Sequence, residues 1–224
     1  MSPPSPGLTH FLATPWCAAL LTSPYTTMLS SPVPSRIPNP NTEGSDLTHF
    51  LAIPWCAALL TSPSTTMLSS PVPSRIPNPN TEGALFAQTL QTPNTISALL
   101  SFYRNSPNTP TKEIHTLITL EYLLNGYPNT AHGGIITAII DEAMSFVLKR
   151  NKELGTLSGL GDLVTADLRV KFIRPVKTPQ TVVVEARLKE VKGRKYVVEA
   201  DLKDSSGTVL AQGEALWIAV NASL

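Results

Sequence analysis

The chain has 224 residues, of which 42% are hydrophobic, and its 17 Lys+Arg against 16 Asp+Glu leave a formal net charge of +1. That balance argues against nucleic acid or an acidic membrane surface as the main partner, and no apolar run approaches the roughly 18 residues of a membrane span. Two cysteines, Cys17 and Cys56, are too few for a disulfide framework, and no Cys/His cluster has metal-ligand spacing.

The composition changes near residue 83. Fifteen of the 21 prolines lie in residues 1–83, which hold only five charged residues, Arg36, Glu43, Asp46, Arg75 and Glu82. Such proline density disfavours long helices and sheet interiors, so this region is expected to be extended or partly ordered. It is also a duplication: residues 8–44 recur as 47–83, and only Thr14/Ile53 and Tyr25/Ser64 differ across 37 aligned positions. Two copies fall short of the roughly three needed for a solenoid. Cys17 and Cys56 are thus one position seen twice, expected as small packing residues of a short "PWCAALL" helix. The expected divisions are 1–46, a Pro-rich duplicated extension; 47–83, the second copy; and 84–224, the folded domain. The expected compartment is the cytoplasm. The mitochondrion is the alternative, because residues 1–42 are rich in Ser and Thr, with Arg36 and no acid.

From residue 84 the patterning becomes regular. "ALFAQTLQT" and "TISALLSFYR" read as short helices separated by Pro93. "EIHTLITLEYLL" (113–124) reads as a strand ended by the turn signal "NGYPN". Residues 134–150 carry Ile135, Ile136, Ile139, Ile140, Ala143, Val147 and Leu148, a helix apolar on nearly every side and therefore central. Four alternating strands follow: "LVTADLRVKFI", "TVVVEARLKEV" (181–191), "KYVVEADLK" (195–203) and "GTVLAQGEALWIAV" (207–220). The fold class expected is α+β, one antiparallel sheet wrapped around a long central helix.

In that order of elements, "AHGGIITAIIDEA", "LVTADLRVKFIRPV" and "EVKGRKYVVEADL" resemble the hotdog-fold acyl-CoA thioesterases, in the phenylacetyl-CoA-type and thioesterase-superfamily-member branch. The resemblance covers about 110–220. The second copy of the repeat is similar to the N-terminal lead of fungal members, which leaves the first copy as the extra piece.

Thioester hydrolysis needs a donor for the developing oxyanion and a base or nucleophile at the carbonyl carbon. Gly133 can present a bare N–H at the positive end of the helix; its plain alternative is a tight turn. His132 is expected to fix that turn, with a role as the catalytic base as its alternative. Asp141 is the candidate base or nucleophile, against the alternative of a carboxylate paired across a subunit interface. Glu142 points about 100° away around the helix and reads as a supporting or interface residue. Eight positions at ~1.5 Å each separate Gly133 from Asp141 by ~12 Å along one helix, too far for one carbonyl to touch both. Two antiparallel helices across a two-fold axis would bring Gly133 of one subunit to Asp141 of the other, and the resemblance implies the same dimer. It also matches Thr165 to the position that orients the attacking water. The alternation sets Thr165 opposite the apolar residues, so it must reach the cleft at a strand end or through a bulge.

Candidate substrate contacts are Gly134 and Asn125 near the carbonyl, and Arg174 with the "KGRK" turn, Gly193, Arg194 and Lys195, for the CoA phosphates. Asn129 rivals Asn125, and His115 reads as a strand histidine. The expected protein is a homodimer or tetramer that hydrolyses acyl-CoA with water and has no metal or other cofactor. One alternative releases acyl or polyketide chains from a carrier protein, as in fungal secondary metabolism. The other is a non-catalytic acyl-CoA-binding or regulatory module.

Overall fold

The computed structural model describes residues 45–68, 73–104, 111–157 and 162–220. The first copy of the repeat, Cys17 included, lies outside the described residues. All described residues belong to one compact unit, Asn39–Leu224.

Its centre is a seven-stranded antiparallel sheet in the order β1-β2-β3-β7-β8-β9-β6. The strands are β1 (Thr65–Met67), β2 (Ile96–Arg104), β3 (Glu113–Leu120), β6 (Asp162–Phe172), β7 (Gln180–Lys192), β8 (Lys195–Lys203) and β9 (Val209–Val220). A small ribbon of β4 (Asn125–Tyr127) and β5 (Thr130–Ala131) precedes the one long helix among the described residues. The two seven-residue helices α1 (Ser45–Leu51) and α2 (Pro54–Leu60) come before β1.

The long helix α3 (Gly133–Glu153) is buried along Ile136, Ile139, Ile140, Ala143, Met144, Phe146, Val147 and Leu148. These pack with Ile118, Val182, Val184 and Val198 of the sheet. Each such aliphatic side chain contributes about 1.5–3 kcal/mol when fully buried, so this face is the main source of stability. The helix comes closest at Gly213 of β9, where an added Cβ would stand 2.6 Å from Ile140 Cγ2 and 2.9 Å from Met144 Cε. Only glycine permits that approach. At the far end of the helix, buried Asn151 donates to Thr111 O and Val147 O and accepts from the Thr111 N–H, so its amide is satisfied inside the core. An antiparallel sheet around a buried helix is the hotdog fold.

The other sheet face has its own cover, which includes the expected "PWCAALL" helix as α2 and is more ordered than an extended segment. Phe50 of α1 and Cys56 of α2 are wholly buried against Ala98, Leu100, Phe102, Leu117 and Val183. Pro54 is tolerated because it opens α2, where the missing N–H has no helical acceptor. Burial pushes the Cys56 thiol up to about 12, as suits a packing residue. A 3₁₀ turn at Pro73–Arg75 then sends Arg75, only 2% exposed, inward, where its Nη2 donates to Ile96 O.

Three further expectations are corrected. "TISALLSFYR" is strand β2, because both its faces are covered: Ile96 and Leu99 by the main core, Ala98, Leu100 and Phe102 by the lead. A continuous apolar run of that kind has no period to separate strand from helix. "ALFAQTLQT" holds a single π-helical turn, Leu85–Thr89. The strand expected over 113–124 stops at Leu120 and passes through a 3₁₀ turn, Tyr122–Leu124. Among the described residues no helix is long and apolar enough to cross a membrane.

Candidate active site

The start of α3 is shaped by three glycines. His132 is its N-cap, and its ring Nδ1 accepts from the Gly134 N–H at 2.9 Å, which places the ring proton on Nε2. The His132 N–H donates to Leu124 O, fastening the turn to the preceding 3₁₀ segment. Gly126, which the sequence left as part of a turn signal, is required by this arrangement: a Cβ there would stand 2.8 Å from His132 Cδ2. The Gly134 N–H is thus engaged by histidine, whereas the Gly133 N–H has no partner among the described residues. Gly133 is exposed, and a Cβ on it would lie 3.5 Å from Phe172 Cζ.

Eight residues along the helix, half-buried Asp141 accepts a hydrogen bond from Thr165 Oγ1 through Oδ1, at 3.0 Å. The register of β6 explains how a threonine on the polar side of the alternation arrives there. Thr165 pairs with Trp217 and Asp167 with Leu216, so Ala166 is an extra residue and the strand bulges. The bulge turns Thr165 toward α3. Burial raises the Asp141 carboxyl above the usual aspartate range, opposed by the Thr165 hydroxyl and by the positive charge of Lys149. Helix α3 is unbroken from Gly133 to Glu153, so Gly133 and Asp141 stand ~12 Å apart along its axis.

The remaining candidates lie apart from this pair. Asn125 Oδ1 accepts from the Thr178 hydroxyl, and Asn129 occupies a left-handed turn position at φ 53°. Arg174 Nη1 donates to Val209 O, which ties the end of β6 to β9. Gly193, at φ 58°, makes the tight β7–β8 turn, and Arg194 and Lys195 stand exposed on it without an acidic partner among the described residues. His115 stacks on Phe102, and its Nε2 donates to Glu113 Oε1, 2.8 Å away, on the sheet face opposite α3. With Glu185 it makes a possible ligand trio, but Lys203 and Arg187 already neutralise that glutamate.

Strand β6 ends the sheet order, so one of its edges has no strand beside it among the described residues. Phe172, at that edge, is 56% exposed, and Tyr127, in the ribbon before α3, is 79% exposed. Neither was singled out by sequence, because exposure of an aromatic has no signature in a strand pattern.

Residues 128–211 match the model of the thioesterase superfamily. The chain is 28% identical over 164 residues to verlamelin biosynthesis protein B of Lecanicillium sp, covering 60% of this chain and 71% of that one. It is 30% identical over 96 residues to the acyl-coenzyme A thioesterase THEM4 of Bos taurus; the match spans 42% of this chain and little more than a third, 36%, of the bovine protein. Among solved structures it is similar to the E. coli PaaI protein from the phenylacetic acid degradation operon, at 13% identity and a TM-score of 0.43, covering 49% of this chain and 73% of that one. The similarity to the thioesterase superfamily thus rests on residues 128–211, from the turn before α3 to the start of β9.

Proposed function

We propose that the protein hydrolyses acyl-CoA thioesters, with Asp141 as the base toward water and the Gly133 N–H of a second copy as the oxyanion donor. The observation that carries this reading is the Thr165–Asp141 hydrogen bond, a carboxylate held above its ordinary range with one oxygen still open to a water. In the reaction water oxygen adds to the thioester carbon and its proton passes to Asp141. The carbonyl oxygen gains charge against Gly133, the C–S bond breaks, and the leaving thiolate takes the proton back.

The ~12 Å between Gly133 and Asp141 rules out their meeting within one helix, so the site is complete only between two antiparallel helices. The uncovered edge of β6 and the exposed Phe172 beside Gly133 supply a surface for that second copy. The exposed Arg194 and Lys195 suit the phosphates of CoA. A thiol-release assay over short, medium, long and aromatic acyl-CoAs tests the activity directly, and no release from any of them overturns it. The second reading, a carrier-protein thioester as substrate, is favoured by the similarity to a fungal biosynthesis protein. It predicts faster release from an acyl-carrier protein than from the matching acyl-CoA.

A further inference from the structure

A groove of about 450 Å³ begins at Glu142, the residue after Asp141, a size within the range of small-molecule sites. Glu142 and Ser145 of α3 form one side, and Leu163 of β6 with Trp217 of β9 form the floor. Ser145 lies four residues from Asp141 on the same helix face, and Leu163 lies two residues before Thr165 on the strand that carries it. The opposite wall comes from the second copy of the repeat, where Ser74 and Ile76 flank the buried anchor Arg75. Ile76 is a large apolar side chain left more than half exposed there.

Three lining side chains hold a buried polar atom without a hydrogen-bond partner among the described residues: Ser74 Oγ, Glu142 Oε1 and Trp217 Nε1. Trp217 and Ser74 are each more than nine-tenths buried. Buried polar atoms are nearly always paired, so a cluster of three around one groove marks a place where the partner is brought from outside. A carboxylate accepts, an indole donates and a hydroxyl does both. Three acids against two lysines in the lining disfavour a phosphate.

We propose that this groove takes the acyl chain of the thioester, and that its wall, built by the repeat, selects a chain that carries a hydroxyl group. This rests on the thioesterase reading and adds a substrate class to it. Ile76 and Leu163 would contact the methylenes, and Glu142 would accept from the hydroxyl. The N-terminal repeat is then part of the substrate site and not only a cover for the sheet.

The test uses the full chain with acetyl-CoA, octanoyl-CoA and a hydroxyoctanoyl-CoA, and calorimetric binding of the matching non-hydrolysable thioethers. The hydroxylated chain should be favoured about tenfold in kcat/KM over the plain one, and Glu142→Leu should remove that preference. Ile76→Trp should lower the octanoyl-to-acetyl ratio of kcat/KM about tenfold. An unchanged ratio in Ile76→Trp, with its melting temperature preserved, overturns the placement of the chain. Equal rates for both octanoyl substrates in the wild type overturn the hydroxyl selection. If nothing is hydrolysed yet the thioethers bind with this same pattern, the hydrolase reading fails and the groove stands; if they bind without it, both fail.

Discussion

Thr165 and Asp141 meet across the gap between β6 and α3 because a single extra residue, Ala166, rotates the strand by one side-chain position. The hydroxyl donates to Oδ1; in the proposed reaction Oδ2 takes the water and a lone pair on Thr165 Oγ1 orients it. Asp141→Asn keeps the shape and removes the proposed base. Turnover should fall by roughly 10²–10⁴ while the fold persists. Glu142→Gln should cost much less on a plain acyl-CoA. Comparable losses in the two variants, measured by thiol release, would transfer the role to the wrong-facing acid.

The raised Asp141 pKa carries a stability consequence of definite sign. A carboxyl whose folded pKa lies above its unfolded one favours folding when protonated. That contribution is fully present below the unfolded value and is lost as pH rises through the folded value. At neutral pH the ionised group is therefore a burden, and Asp141→Asn should melt higher than wild type. The gap should close as pH drops below about 3.9, the ordinary aspartate pKa. Thermal scans across pH check this, and a variant that melts lower at pH 7 contradicts the burial of the charge.

Thr165→Val removes a hydrogen bond that holds the Asp141 pKa down, so the acid limb of the kcat/KM profile should move to higher pH. The plateau rate should fall roughly tenfold or more, the share of a positioned proton-transfer partner. Thr165→Ser should restore both. A pH profile unmoved in Thr165→Val would make this an ordinary strand threonine.

The long helix and the four final strands were legible because each is amphipathic or buried with a clear period. Strand β2 was not, since the lead covers its second face and erases the alternation in "TISALLSFYR". The place of Thr165 was legible only as a condition, a bulge or a strand end; the bulge itself is set by pairing with Trp217 and Leu216, which no local pattern encodes. The glycines of "HGG" stood out, but Gly126 and Gly213 answer to His132 and Ile140 across the fold, contacts that spacing cannot reveal.

Replacing Arg194 and Lys195 by Ala should raise KM for acyl-CoA several-fold and leave kcat nearly unchanged. Those charges would hold the phosphates equally in ground and transition states. With a short pantetheine thioester that lacks the phosphates the effect should vanish. Equal penalties on both substrates would make the hairpin a structural element only.

Complementation between two inactive variants tests the shared site. Gly133→Val sets a branched side chain over the free N–H and toward the Phe172 ring, and Asp141→Asn removes the base, so each homodimer should be inactive. Mixed and allowed to exchange subunits, they form heterodimers with both lesions in one cleft and none in the other. Free exchange makes about half of all dimers heterodimers, each with one working cleft, so about a quarter of wild-type activity should return. Were Gly133 and Asp141 to act from one subunit, every cleft would keep a lesion and nothing would return. The ~12 Å along α3 makes that outcome incompatible with both groups touching one carbonyl. Heterodimers demonstrated by mass yet inactive would mean that a second copy does not complete the site, and a donor other than Gly133 would then have to be sought beside Asp141.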